Sequence, residues 1–214
     1  MRTPAYRRRW PASLAVILVL AAQLVLPEQV TVGAEWLVPG LEGLLLLPML
    51  VTNPVHLRRD HPLLRMLALV TAVAVMVANA SVLVRLVVTL GRGSAFSSLA
   101  LIETGLILVF TNVVASAVLL WELDRGGPFA RDPAHQRDEG RADLLFPQTS
   151  VDGPLDGWRP SFVDYLFVAF TLSTAFSPTD TMPLSGRTKV VFMVSAAVAM
   201  LTFALVAARA VNIL

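Results

Sequence analysis

Val163 to Leu184 reads V-D-Y-L-F-V-A-F-T-L-S-T-A-F-S-P-T-D-T-M-P-L, and the surroundings of this stretch decide the fold. Its first half is apolar with a helical pattern. Its second half gathers Thr171, Ser173, Thr174, Ser177, Thr179 and Thr181 and carries Pro178, Asp180 and Pro183. Hydroxyls and an acid beside an apolar run need partners if the medium is hydrocarbon. Composition says that it is: of 214 residues 56% are hydrophobic and 15% charged, mean hydropathy is +0.69, and the apolar residues fall in long unbroken runs.

The expected fold class is therefore all-α, a polytopic transmembrane helical bundle in a single membrane domain over residues 1–214. About six transmembrane helices are expected, since a bilayer core takes about 20 apolar residues per crossing. They fall at 12–26, 36–51, 63–90, 98–123, 161–178 and 189–213, with a hydrophilic loop at 124–160. The first run follows Arg2, Arg7, Arg8 and Arg9 and reads as a membrane helix with a basic anchor rather than a cleaved signal, because no small-residue cleavage site follows it. The second, broken by Pro39, Gly40, Gly43 and Pro48, carries Glu42. The loop mixes acids with arginines and reads as a solvated surface segment, ordered in part through Leu144-Leu145-Phe146-Pro147.

Net charge is +2, but the arginines flank apolar runs, which fits orientation in a bilayer and not nucleic-acid binding. Positive charge is densest before the first run, between the second and third, and in the 124–160 loop. With six complete spans, that places both the N-terminus and the C-terminus in the cytoplasm of a multi-pass protein of the cell (inner or plasma) membrane. The chain has no cysteine, which removes disulfides, thiolate nucleophiles and cysteine metal sites.

Depth along the spans pairs the intramembrane polar residues. Arg85 and Glu103 fall near the outer ends of the third and fourth runs, Asn79 and Asn112 near their middles, and Asp164 and Arg209 near the inner ends of the last two. Each pair is expected to join neighbouring helices. A second reading sends Glu42, Glu103 and Asp180 along a hydrated path opening outward.

From Tyr165 onward the chain resembles the pore region of two-span potassium channels. Phe170-Thr171-Leu172-Ser173-Thr174 stands where the pore helix feeds the filter, Asp180 at the filter's closing acid, Pro183 and Ser185 at the spacing that follows, and Ala207-Ala208-Arg209 at the basic end of the inner helix. Ser177 and Thr179 replace the filter glycines and Pro178 the tyrosine, so the filter is degenerate and its carbonyl geometry is not expected. Tyr165-Leu166-Phe167, Thr174 to Asp180 and Ala210-Val211-Asn212-Ile213 also resemble a bacterial multi-pass membrane protein family of unknown function.

These likenesses imply a channel-like permeation or transport protein, with Thr171, Thr174, Ser177, Thr179 and Asp180 along the polar path. The alternative is a non-conducting assembly protein. The expected partners are the lipid bilayer and, by the channel likeness, further copies of the chain; the ion or small solute is not specified. No catalytic, cofactor or metal set can be assembled. His56 and His61 lack further ligands, and no H-E-x-x-H, G-x-S-x-G, phosphate-loop or dinucleotide motif appears.

Overall fold

The computed structural model describes residues 10–26, 62–92, 97–131, 142–150, 158–177 and 180–211. Within them α1 is Trp10–Gln23, α2 Pro62–Gly91, α3 Ser98–Leu123, α4 Phe162–Thr174 and α5 Gly186–Val211. Two short strands, β1 at Leu144–Leu145 and β2 at Met182–Pro183, pair antiparallel with Leu144 opposite Pro183. Helices α2, α3 and α5 are long and apolar enough to cross a membrane, whereas α1 and α4 are shorter. The expected span at 36–51, with Glu42, lies outside the described residues.

Helix α3 is the axis of the bundle and touches each of the other four helices. Every residue from Thr111 to Glu122 is buried, because its apolar and small side chains meet neighbours all round rather than on one stripe. One apolar cluster joins Val16 and Val19 of α1, Ala68 and Val75 of α2, Trp121 of α3 and Phe162 of α4. A second, towards the other end, joins Leu26, Leu86, Leu101 and Val198. Since Leu26 belongs with the second cluster, α1 runs along α3, antiparallel to it and away from the end where α3 finishes.

That finishing end is closed by local chemistry. Arg125, Gly126 and Gly127 take positive φ in succession, 49°, 83° and 100°, and turn the chain sharply off the helix. Helix α4 opens on a reciprocal cap in which Asp164 Oδ2 accepts from the backbone N–H and the hydroxyl of Ser161, both at 2.7 Å. It ends after 13 residues, about 20 Å of rise, too short to cross about 30 Å of hydrocarbon.

The expected span at 161–178 is thus a half-length helix, and the chain turns back. Tyr165, near the start of α4, bonds Asp124 at the end of α3, and Ser173, near its finish, reaches Asn112 halfway along α3. Phe176 then packs edge-on against Phe203 of α5 at 6.4 Å. By Met182 the chain is again beside β1, and Leu184 N–H donates to the Asp143 carbonyl at 2.8 Å. Helices α4 and α5 therefore both start at the end where α3 finishes, and both run opposite to it.

Two expectations change as a result. The described residues begin at the end where α3 finishes and end at the opposite one, unlike the expected placement of both termini on one side; the terminal residues themselves lie outside the described ones. Asp164 and Arg209 also stand at opposite ends and do not pair, because that pair assumed a full crossing between them.

Candidate functional site

The polar groups converge in two places. The first is a junction where α3 ends and α2, α4 and α5 begin. The last carbonyls of any helix lack intrahelical donors, and here arginines supply them. Arg131 Nη1 donates to the carbonyl oxygens of Trp121, at 2.8 Å, and Asp124. Arg65 donates through Nε and Nη2 to the Glu122 carbonyl at 3.3 and 3.1 Å, and Arg187 Nη2 to the Leu123 carbonyl at 3.2 Å. Three cations from three segments thus meet the negative end of the α3 dipole.

Asp124 is 1% exposed, yet its carboxylate is well served. Oδ1 accepts from the N–H groups of Asp143 and Leu144 at 2.9 and 3.2 Å, and Oδ2 from the Tyr165 hydroxyl at 2.7 Å. The Arg131 guanidinium lies 5.1 Å from the centre of the Tyr165 ring, a cation–π contact, with its Nη1 3.9 Å from Asp124 Oδ2. Phe146 packs edge-on against the same ring at 5.3 Å.

Asp143, 2% exposed, grips Arg187 with both oxygens: Nε donates to Oδ1 at 2.8 Å and Nη2 to Oδ2 at 2.6 Å. The Arg125 N–H donates to Oδ2 at 3.2 Å, and the Asp143 carbonyl accepts the Thr188 hydroxyl at 3.2 Å. Burial is the largest influence on the Asp143 carboxyl and pushes its pKa up, but the hydrogen bonds and charge of Arg187, with Ser185 and the Arg125 N–H, outweigh it and hold the carboxyl below its usual 3.8. Beside this grip opens a cleft of about 610 Å³ lined by Arg125, Asp143, Ser185 and Arg187 among others.

The second place is a polar layer halfway down α3. Asn112 Nδ2 donates to the Ser195 carbonyl at 3.0 Å and lies 3.1 Å from the Ser195 hydroxyl and 3.5 Å from that of Ser173. Ser116 Oγ donates to Ser195 Oγ at 2.9 Å. All four residues are 0% exposed, so three helices are joined by polar contacts inside an otherwise apolar packing.

Several expected placements differ. Asn79 does not meet Asn112; its Oδ1 accepts from Thr111 Oγ1 at 2.9 Å. Arg85 and Glu103 are both exposed, and no ion pair joins them among the described residues. Asp164 caps α4, and Arg209 Nε is buried without a described hydrogen-bond partner. Thr171 Oγ1 donates to the carbonyls of Phe167 and Val168 at 3.0 Å each, and Thr174 Oγ1 to that of Phe170 at 2.8 Å. Thr174, Ser177 and Asp180 are exposed, on the outside of a single chain rather than around an internal bore; Thr179 lies outside the described residues.

The sequence pattern left the loop acids Asp124 and Asp143 solvated, gave Arg131 no role, and used Tyr165 only as the start of the channel-like stretch. Burial at 1% and 2% overturns that for Asp124 and Asp143. A usable signal was present, since Asp143 leads directly into the apolar Leu144-Leu145-Phe146-Pro147 run. No protein-family model, curated protein or solved structure matches the chain.

Proposed function

We propose that the chain is a multi-pass protein of the cell membrane, without enzymatic activity, whose residues 161–185 enter the bilayer and return to the same face, and that it works as a channel-like permeation or transport protein for an ion or small polar solute. The observation carrying this reading is that Tyr165 on Asp124 and Arg187 on Asp143 hold the starts of α4 and α5 at one end, while Ser173 and Ser195 meet at Asn112 halfway down. Non-helical backbone at membrane depth is tolerated only where it is buried in protein or lines a water-filled cavity. The described parts of the return, 175–177 and 180–185, with exposed Ser177 and Asp180, are the segment to which that rule applies.

The outer surface supports the bilayer. Val77 at 61% exposure, Leu106 at 65% and Met193 at 63% stand outward on three helices, as part of an apolar exterior that water does not favour. Charge supports the orientation. Arg65, Arg125, Arg131, Arg159, Arg187 and Lys189 gather at the junction end, and Arg85, Arg92 and Arg209 lie towards the other. The junction end is then cytoplasmic, which brings Arg187 and Lys189 into line with the rest.

The test uses the absence of cysteine. Single cysteines at Ser94, Gly140, Gly186 and the C-terminus are probed with an impermeant thiol reagent in intact cells. Labelling at Ser94 and the C-terminus, with Gly140 and Gly186 protected, is expected; labelling at Gly186 without Gly140 overturns the re-entrant reading. Flux into proteoliposomes, compared between the native chain and Asp180→Asn, then tests permeation. The back-bonded hydroxyls of Thr171 and Thr174 favour the second reading, a non-conducting assembly protein, which predicts no flux from either.

A further inference from the structure

The cleft at the junction carries more positive charge than its own partners use. Arg187 gives Nε and Nη2 to Asp143, which fixes the guanidinium plane, while Nη1 has no partner among the described residues and the side chain remains 51% exposed. Arg125, which also lines the cleft, is anchored by its backbone, through its N–H on Asp143 and a φ of 49°, and its guanidinium has no partner among the described residues. Two arginines thus line one cleft whose single carboxylate is already committed to Arg187. The volume of about 610 Å³ is that of a small-molecule site, and planar guanidinium forks match phosphate oxygens.

Exposed apolar side chains adjoin the cleft lining along the chain. Met182 is 59% exposed, Leu184 49% and Val190 53%, and Leu184 also lines the cleft. A ligand seated here meets two arginines and the side chain of Leu184. Basic pockets between helices on the cytoplasmic face suit the headgroups of anionic lipids.

We infer that this cleft binds a phosphate group, supplied by the headgroup of an anionic phospholipid whose acyl chains lie along Leu184 and the exposed flank of α5. The proposal rests on the membrane reading for its lipid, but the phosphate contacts do not depend on it. Arg125 and Arg187 hold the phosphate oxygens, and Asp143 positions Arg187 without touching the ligand.

The experiment measures the melting temperature of the purified full chain in neutral detergent against added phosphatidylglycerol, phosphatidylcholine, glycerol phosphate and inorganic phosphate. Phosphatidylglycerol should raise it and phosphatidylcholine should not. Arg125→Gln, which removes no described side-chain bond, should weaken the apparent affinity by roughly five- to tenfold, and Arg159→Gln, at the same end but outside the cleft, should leave it unchanged. If Arg125→Gln itself lowers the melting temperature without ligand, Arg125→Lys, which keeps the charge and loses the fork, gives the same comparison with a smaller loss. A response to glycerol phosphate or inorganic phosphate equal to that of the lipid, and lost in Arg125→Gln, supports the phosphate site and assigns its source to a free anion. An unchanged response in the Arg125 variants, or an equal loss in Arg159→Gln, overturns the site. Release of the protein from membranes by alkaline carbonate would remove the membrane reading, while the two soluble probes would still report on the cleft.

Discussion

The hydroxyl of Tyr165 lies 2.7 Å from Oδ2 of Asp124, and both residues are at most 1% exposed. The contact fixes where α4 begins relative to where α3 ends. Tyr165→Phe keeps the ring against Phe146 and under Arg131 and removes only the donor, leaving one oxygen of a buried carboxylate short of a partner. Such a loss costs about 1–3 kcal/mol. Unfolding of the variant in detergent should show a loss in that range, and a loss below about 0.5 kcal/mol, the scale of an ordinary surface change, would mean that the bond does not hold the junction.

Asp143 and Arg187 predict a pH dependence with a definite sign. The folded carboxyl of Asp143 titrates below its ordinary 3.8, so the grip contributes stability above that value and loses it as pH falls through the lower, folded value. Asp143→Asn should be less stable than the native chain at pH 7, by roughly 1–2 kcal/mol because Arg187 is half exposed and screened. The gap should begin to narrow as pH drops below about 3.8 and close only below the lower, folded value. A gap of the same size at pH 3 and pH 7 would show that the carboxylate charge contributes nothing there.

The apolar runs at 63–90 and 98–123 locate α2 and α3 within a few residues, because crossing length is written directly in hydropathy. The half-length of α4 is not written that way. A mostly apolar helical run looks alike whether it stops halfway or continues, and what stops this one is nonlocal: Tyr165 on Asp124, β1 on β2, Ser173 at Asn112. The mistaken Asp164–Arg209 pair descends from that single step. Asn79 and Asn112 show a subtler limit. Their depth was legible, but adjacent residues on a helix point about 100° apart, so Thr111 faces Asn79 while Asn112 faces α5. Asp124 and Asp143 read as solvated because hydropathy assigns every loop acid to water, and no local pattern records that two backbone N–H groups and a tyrosine converge on one of them.

Gly127 should resist replacement. Its φ is +100°, and an added Cβ would sit 3.3 Å from both Arg65 Nε and Glu122 Oε2 and 3.4 Å from the Glu122 carbonyl oxygen. Gly127→Ala therefore combines backbone strain with crowding at the arginine that caps α3, and should cost more than about 1 kcal/mol. Gly91, with nothing within 4 Å of its Cβ position and within α2, is the control. Gly91→Ala should be neutral or stabilising by up to about 1 kcal/mol, and equal losses at the two positions would sink the account.

Asn112 is where the returning segment is tied to the bundle at depth, and a double-mutant cycle reads the tie directly. Its Nδ2 reaches both the carbonyl and the hydroxyl of Ser195, so Asn112→Ala removes more than Ser195→Ala, which leaves the carbonyl in place. The amide orientation follows from that carbonyl, which accepts only a donor, and it leaves Asn112 Oδ1 buried without a described hydrogen-bond partner. Removing the side chain therefore also relieves an unsatisfied acceptor, which offsets part of the loss. The coupling between Asn112 and Ser195 should be about 0.6 kcal/mol and no more than about 1.7 kcal/mol, the range measured for such contacts between membrane helices. Strictly additive losses in detergent unfolding would mean that α3 and α5 do not meet through these groups, and the register that places Ser173 at the same level would have to be redrawn.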